Sequence, residues 1–162
     1  MQSTPRRDLL AIFQAALRRV NGVEAVRQEL VRDKYQDSSP VYLIAIGKAA
    51  AAMTEGALEV LGNRVVSGLV ITKHGHLDGL NDERLQLIEA DHPVPGTSSL
   101  AAGQELIDFC QSVPSGVRLL VLVSGGASSL VEVLPSGFSL QDLESLTRIL
   151  LGSGLDISAI NR

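Results

Sequence analysis

Val41-Tyr42-Leu43-Ile44-Ala45-Ile46-Gly47-Lys48 is the stretch on which the fold turns. A continuous apolar run of strand length, Val41 to Ile46, is the pattern of a strand buried on both faces of a parallel sheet. Gly47 ends it, and Ser38, Ser39 and Pro40 set its start. From Lys48 to Leu61 the Ala-rich sequence has strong helix propensity, and Val65 to Thr72 reads as a second strand, which together make a βαβ unit. The pattern recurs with Leu85 to Ala90 as a strand, Ser98 to Ser112 as a helix and Leu119 to Val123 as a very apolar strand. Strand, helix and strand twice over predict an α/β fold: a doubly wound, mainly parallel sheet with helices on both faces, Rossmann-like in arrangement.

Working outward, residues 1–37 read as a helical lead-in and 38–162 as the alternating core. Thr4 and Pro5 suit an N-cap and first helical position, and Leu9, Phe13, Leu17 and Val20 recur on one helix face. A short second helix is expected around Val23 to Val31. Beyond the last strand, Ser139 and Asp142 form a capping-box-like pair, opening a helix with Leu143, Leu146 and Leu150 that ends near Gly152. Gly154 to Asp156 would start one more helix, turning Ile157 and Ile160 inward. The chain stops at Asn161 and Arg162 after about two turns of it, so its end reads as a cut.

Composition excludes several classes. In 162 residues, 45% are hydrophobic and 20% charged, which is a soluble globular balance. Aromatics are 3% with no Trp, so Leu, Val, Ile and Ala must build the core. Fourteen basic against 18 acidic residues, a net charge of −4, leave no basic footprint for nucleic acid, and any anionic ligand needs a local site. Cys110 is the single cysteine, which fits a reducing cytoplasm. The run after the polar N-terminus is interrupted by Gln14, Arg18 and Arg19, so neither a signal peptide nor a membrane span is expected, and the reading is cytoplasmic.

In open α/β sheets ligands bind beyond the carboxyl ends of the strands. Those ends carry Gly47-Lys48, Lys73-His74-Gly75-His76, Asp91-His92-Pro93 and Ser124-Gly125-Gly126-Ala127-Ser128-Ser129. The last is the richest: its glycines permit close backbone approach and its hydroxyls and N–H groups suit a phosphate or carboxylate. A tight turn whose serines only cap is the competing reading. Lys48, at the start of a helix, faces the positive end of the macrodipole, which disfavours it unless an anion lies close by, so it points to a ligand or bends into solvent. His74 and His76, with Asp91 or His92, are metal-ligand types, but polar contacts to substrate or a plain solvated loop account for them as well, and no metal is assigned. Asp91 and His92, fixed by Pro93 and Pro95, either face a cleft or make structural hydrogen bonds.

Taken together, Ile46-Gly47-Lys48-Ala49 with Met53, Lys73 to His76, Glu89-Ala90-Asp91-His92-Pro93-Val94-Pro95, Val123 to Ser128, and Ser153-Gly154 with Ile160-Asn161 resemble successive landmarks of the glycerate 2-kinase (MOFRL) family. The resemblance runs from about Asp8 to the last residue. It implies ATP-dependent transfer of a phosphoryl group to the 2-hydroxyl of D-glycerate, with Mg²⁺, in a cleft between this α/β domain and a C-terminal domain that is absent here. It also implies Lys48 as the catalytic lysine, with Ser124, Gly125, Gly126 and Ser128 as the nucleotide-binding loop. Lys73, His76, Asp91 and His92 are carried as substrate or phosphate contacts. Two departures stand out: Ala127 where the family commonly has a third glycine, expected to narrow backbone approach, and Gly96 where an acidic residue is common. Rival readings are an NAD(P)-dependent hydroxypyruvate reductase, disfavoured by the missing G-x-G-x-x-G, and a non-catalytic small-anion-binding module. Alone, the chain is expected to be inactive and to form a homo-oligomer through an exposed domain face.

Overall fold

The computed structural model of the chain describes residues 4–32, 38–77 and 79–160. Helices α1 (Pro5–Arg19) and α2 (Gly22–Arg32) lead into β1 (Val41–Ile46), α3 (Ala50–Leu61) and, after a short 3-10 turn, β2 (Val65–Lys73). Then come β3 (Leu85–Ala90), α4 (Thr97–Ser112), β4 (Arg118–Val123), α5 (Ala127–Leu130), α6 (Leu140–Gly152) and α7 (Ile157–Ile160). The four strands form one sheet of order β3-β2-β1-β4, and every pairing is parallel. The doubly wound α/β expectation holds. Between β2 and β3, however, the parallel connection is a loop rather than a helix.

Alternation along β1 divides the core. Val41 and Leu43 join Leu120 of β4 against Val26 and Leu30 of α2 and Met53, Ala57 and Leu61 of α3. Ile44 and Ile46 face the other way with Leu69, Ile71 and Ala90, against Ala102 and Phe109 of α4 and Leu130 of α5. Each such side chain, taken fully from water, stabilises the fold by roughly 1.5–3 kcal/mol before the cost of ordering it. Small residues set the approach of the helices: a Cβ at Gly56 of α3 would lie 2.9 Å from Cα of Val23 in α2. The short second helix read around Val23 is therefore a core element.

The longer first helix is not. Pro5 opens α1 as expected, but Thr4 makes no side-chain cap and none of the residues of α1 is buried. Leu9, Phe13, Leu17 and Val20 are all exposed. A second apolar strip belongs to β4, an edge strand, where Leu119, Val121 and Val123 are exposed on the α4 face. Ser139 and Asp142 do form a capping box, with Ser139 N–H donating to Asp142 at 2.9 Å and Asp142 N–H to Ser139 Oγ at 3.2 Å. Helix α6 nonetheless buries none of its residues. Asn161 and Arg162 lie outside the described residues, as do the side chains of Ile157 and Ile160.

Candidate functional site at the switch point of the sheet

The chain order reverses between β1 and β4, because β2 and β3 extend the sheet on one side of β1 and β4 on the other. In such sheets the loops at this switch point part to leave a crevice. Here the loop after β1 is tied to the loop after β4. Ser124 N–H donates to Ile46 O at 2.9 Å, Lys48 N–H to Gly125 O at 3.0 Å, and Ala49 N–H to Ser124 Oγ at 3.0 Å. Gly47 makes the junction sterically workable: its φ of +123° is a glycine conformation, and a Cβ there would lie 2.6 Å from the Ser124 carbonyl oxygen. These bonds hold Lys48 just ahead of α3, which starts at Ala50, rather than in its first turn as its sequence position predicts.

Lys48 is exposed, and its stem lies along the glycine loop. A Cβ at Gly126, where φ is +92°, would meet Lys48 Cγ at 3.4 Å and His92 Cε1 at 3.2 Å. Lys48, Gly126 and His92 thus converge, from β1, β4 and β3. His92 Nδ1 is hydrogen bonded to Ser129 Oγ at 2.5 Å, and Ser129 Oγ in turn lies 3.1 Å from the Gly126 carbonyl. Burial, reinforced by the Lys48 and Lys73 cations, holds the His92 imidazole below its usual pKa, so the ring is kept neutral near pH 7. The arrangement offers an anion one flexible cation and glycine backbone it can approach closely, and offers a hydroxyl group a neutral imidazole.

The expected site residues divide between two neighbourhoods. Ser124 is committed to capping the start of α3, whereas Ser128 is exposed on the rim. Lys73 ends β2 and acts on His92 through its charge, while His76 is half-buried beyond it, its N–H donating to Lys73 O at 3.1 Å. Asp91 turns toward the start of α4: it accepts from the Ser98 hydroxyl and from His74 Nε2 at 3.3 Å, and both bonds hold its carboxyl below the usual carboxylate range. His74 also lies 3.9 Å from Glu89, whose other oxygen accepts Gly75 N–H at 2.7 Å. No group of three or more His, Cys, Asp or Glu side chains among the described residues is placed to hold a metal ion.

Both sequence departures acquire a structural meaning. Ala127 packs against the core cluster on the α4 face, so its methyl does not narrow the loop as expected. Gly96 sits against Asp91, where an added Cβ would lie 2.9 Å from the carboxyl carbon. An acidic side chain there would meet Asp91 in both space and charge.

Several residues of the site were not singled out by sequence. Ser99 donates to Ser129 O at 2.8 Å and so joins the start of α4 to α5. Glu144 and Arg148 of α6 line one side of an open cleft of about 420 Å³ that also takes in Asp91, His92 and the Pro93–Thr97 turn. For Arg148 no local signal exists, since α6 reaches the cleft only through the tertiary fold. For Ser129, its place in the serine-rich loop was the available sign.

The strand order and the tied loops define a parallel α/β domain with a lysine and a glycine-rich loop at the switch point of its sheet. The chain matches the model of a domain of unknown function, DUF4147, over residues 8–162, and it belongs to that family. It is 40% identical to a D-glycerate 2-kinase of Thermotoga maritima over 75% of this chain and 29% of that protein. A protein of Agrobacterium vitis with the provisional name hydroxypyruvate reductase is 35% identical over 74% of this chain and 30% of its own. A crystal structure of a glycerate kinase from Thermotoga maritima superposes with a TM-score of 0.81 at 35% identity, covering 94% of this chain and 36% of that one. The chain therefore spans about a third of the length of these relatives, and the glycerate kinase resemblance read from its motifs is shared with them.

Proposed function

We propose that the chain is the α/β domain of a glycerate 2-kinase, in which the γ-phosphoryl group of ATP passes to the 2-hydroxyl of D-glycerate. The observation that carries this reading is the convergence of Lys48 and His92 on Gly126. Phosphoryl transfer needs positioning and charge stabilisation more than an elaborate nucleophile. Lys48 would offset charge on the transferred group, the Gly125–Gly126 backbone with the Ser128 hydroxyl would receive the phosphates, and the rim residues Lys73, His76 and His92 would contact substrate or phosphate, with Asp91 held beside them by Ser98 and His74. The names of the relatives support the choice of glycerate. Mg²⁺ would arrive with the nucleotide, and none of these roles depends on it.

In this reading the active cleft is completed by a second domain, and residues 1–162 by themselves bind the ligands and turn them over poorly or not at all. Cytoplasmic location and self-association through the apolar faces of α1 and β4 belong to the same reading. Saturation-transfer NMR with ATP, D-glycerate, hydroxypyruvate and NADH in turn tests it. Signal transfer to ATP and glycerate is expected; transfer to NADH and hydroxypyruvate without ATP would replace the kinase by the reductase that one relative's name suggests.

A further inference from the structure

Ser129 has one hydroxyl proton and two neighbours within reach. Its Oγ lies 3.1 Å from the carbonyl oxygen of Gly126 and 2.5 Å from Nδ1 of His92. A carbonyl oxygen only accepts, so with both bonds made the hydroxyl proton goes to Gly126, and the Ser129 oxygen accepts from Nδ1–H. A neutral imidazole carries a single N–H, so a proton on Nδ1 leaves Nε2 as a bare lone pair. The Nδ1 and Cε1 edge of the ring is packed on Gly126, while the residue also lines the open cleft beside α6.

From this proton count we infer that His92 is the general base of the reaction, accepting the proton of the attacking hydroxyl at Nε2, and that Ser129 is the positioning residue that fixes the required tautomer. The inference rests on the phosphoryl-transfer reading above. The step balances as follows. The alcohol oxygen forms a bond to the γ-phosphorus of the nucleoside triphosphate, and the bond from that phosphorus to the bridging oxygen breaks, its electron pair leaving on the diphosphate. The alcohol proton passes to Nε2, and the resulting imidazolium later releases it to solvent. Burial and the Lys48 and Lys73 cations keep the ring unprotonated beforehand, as a base must be. Asp91, adjacent in sequence, and Glu144 and Arg148 from α6 are the other charged groups around the cleft. Asp91 is occupied by Ser98 and His74, which leaves His92 as the uncommitted proton acceptor of this pair.

The test is a two-bond ¹H–¹⁵N imidazole spectrum of the full ¹⁵N-labelled chain, with His92 assigned through H92Q. The parent is expected to show His92 protonated on Nδ1 and bare on Nε2. S129A should shift it toward the Nε2–H form, with the His74 and His76 signals unmoved as a check on folding, and S129T should restore the parent pattern. Adding D-glycerate should then move the His92 Nε2 resonance in the parent. An Nε2–H tautomer in the parent, or one indifferent to S129A, overturns the inference, as does bound glycerate that leaves Nε2 unmoved. If no glycerate binds, the substrate reading of the preceding section fails and the base loses its acceptor, while the tautomer measured on the free chain still decides the role of Ser129.

Discussion

The Ser124 hydroxyl accepts the backbone N–H of Ala49 at 3.0 Å, joining the loop after β4 to the start of α3 across 75 residues of sequence. It satisfies a donor that a helix start leaves without an intrahelical partner. Ser124→Ala should therefore cost about 1 kcal/mol in denaturant unfolding, as for a lost cap. Gly47→Ala should cost more, about 1–3 kcal/mol, because a side chain at φ +123° is strained and would press on the Ser124 carbonyl. If the two variants unfold at the parent midpoint, the junction does not hold the site.

Gly96 and Asp91 give a second prediction. Gly96→Asp should expel the Asp91 carboxylate from Ser98 and lower stability by about 1 kcal/mol, the scale of a lost helix-start interaction. The His74 imidazole signal should move as well, since its Nε2 contacts the same carboxylate. An unchanged His74 signal in G96D would mean that Asp91 had not been displaced.

Burial separates the helices energetically. Leu43→Ala, at a fully buried position of β1, should cost about 2–5 kcal/mol. Phe13→Ser, on the exposed stripe of α1, should change monomer stability by less than about 0.5 kcal/mol. The same F13S change should weaken any concentration-dependent association seen in sedimentation, because it removes apolar surface from that face.

Acid should act on the loop before β3. The Arg84 guanidinium, which also donates to the Gly62 and Val65 carbonyls at 2.9 Å, holds the Asp82 carboxyl down from 3.8 to about 2. A carboxyl depressed in the folded state adds stability that is fully present above its unfolded pKa and disappears as pH falls through the folded one. The Asp82 contribution is thus complete above about pH 4 and lost toward pH 2. Asp82→Asn should flatten the stability curve in that window; a D82N profile parallel to the parent would remove the linkage.

What could be read in advance follows from the range of the forces involved. The β1 and β3 runs and the Ser139–Asp142 cap are set by neighbours in sequence and lie where they are read, and the Ala-rich α3 starts two residues later than its propensity places it. Apolar content does not say which strand borders which, so it could not mark β4 as an edge with Val123 63% exposed. Nor does an amphipathic stripe say whether anything covers it, and the stripe of α1 is left exposed among the described residues. The rim itself was legible because strand ends are, and Lys48, Gly126 and His92 do meet there. The hydroxyl web of Ser98, Ser99 and Ser129 was not, since serine has the same local appearance whether it caps, bridges or faces solvent.

The central claim is that Lys48 and the Gly125–Gly126 loop bind the phosphates of a nucleotide, and calorimetric titration of Mg-ATP into the parent chain and K48A tests it most directly. The account predicts saturable binding to the parent and binding at least tenfold weaker to K48A, a loss of about 1.4 kcal/mol, with an unchanged unfolding midpoint. Equal affinity of the two proteins, or no binding to the parent at any concentration, would contradict it.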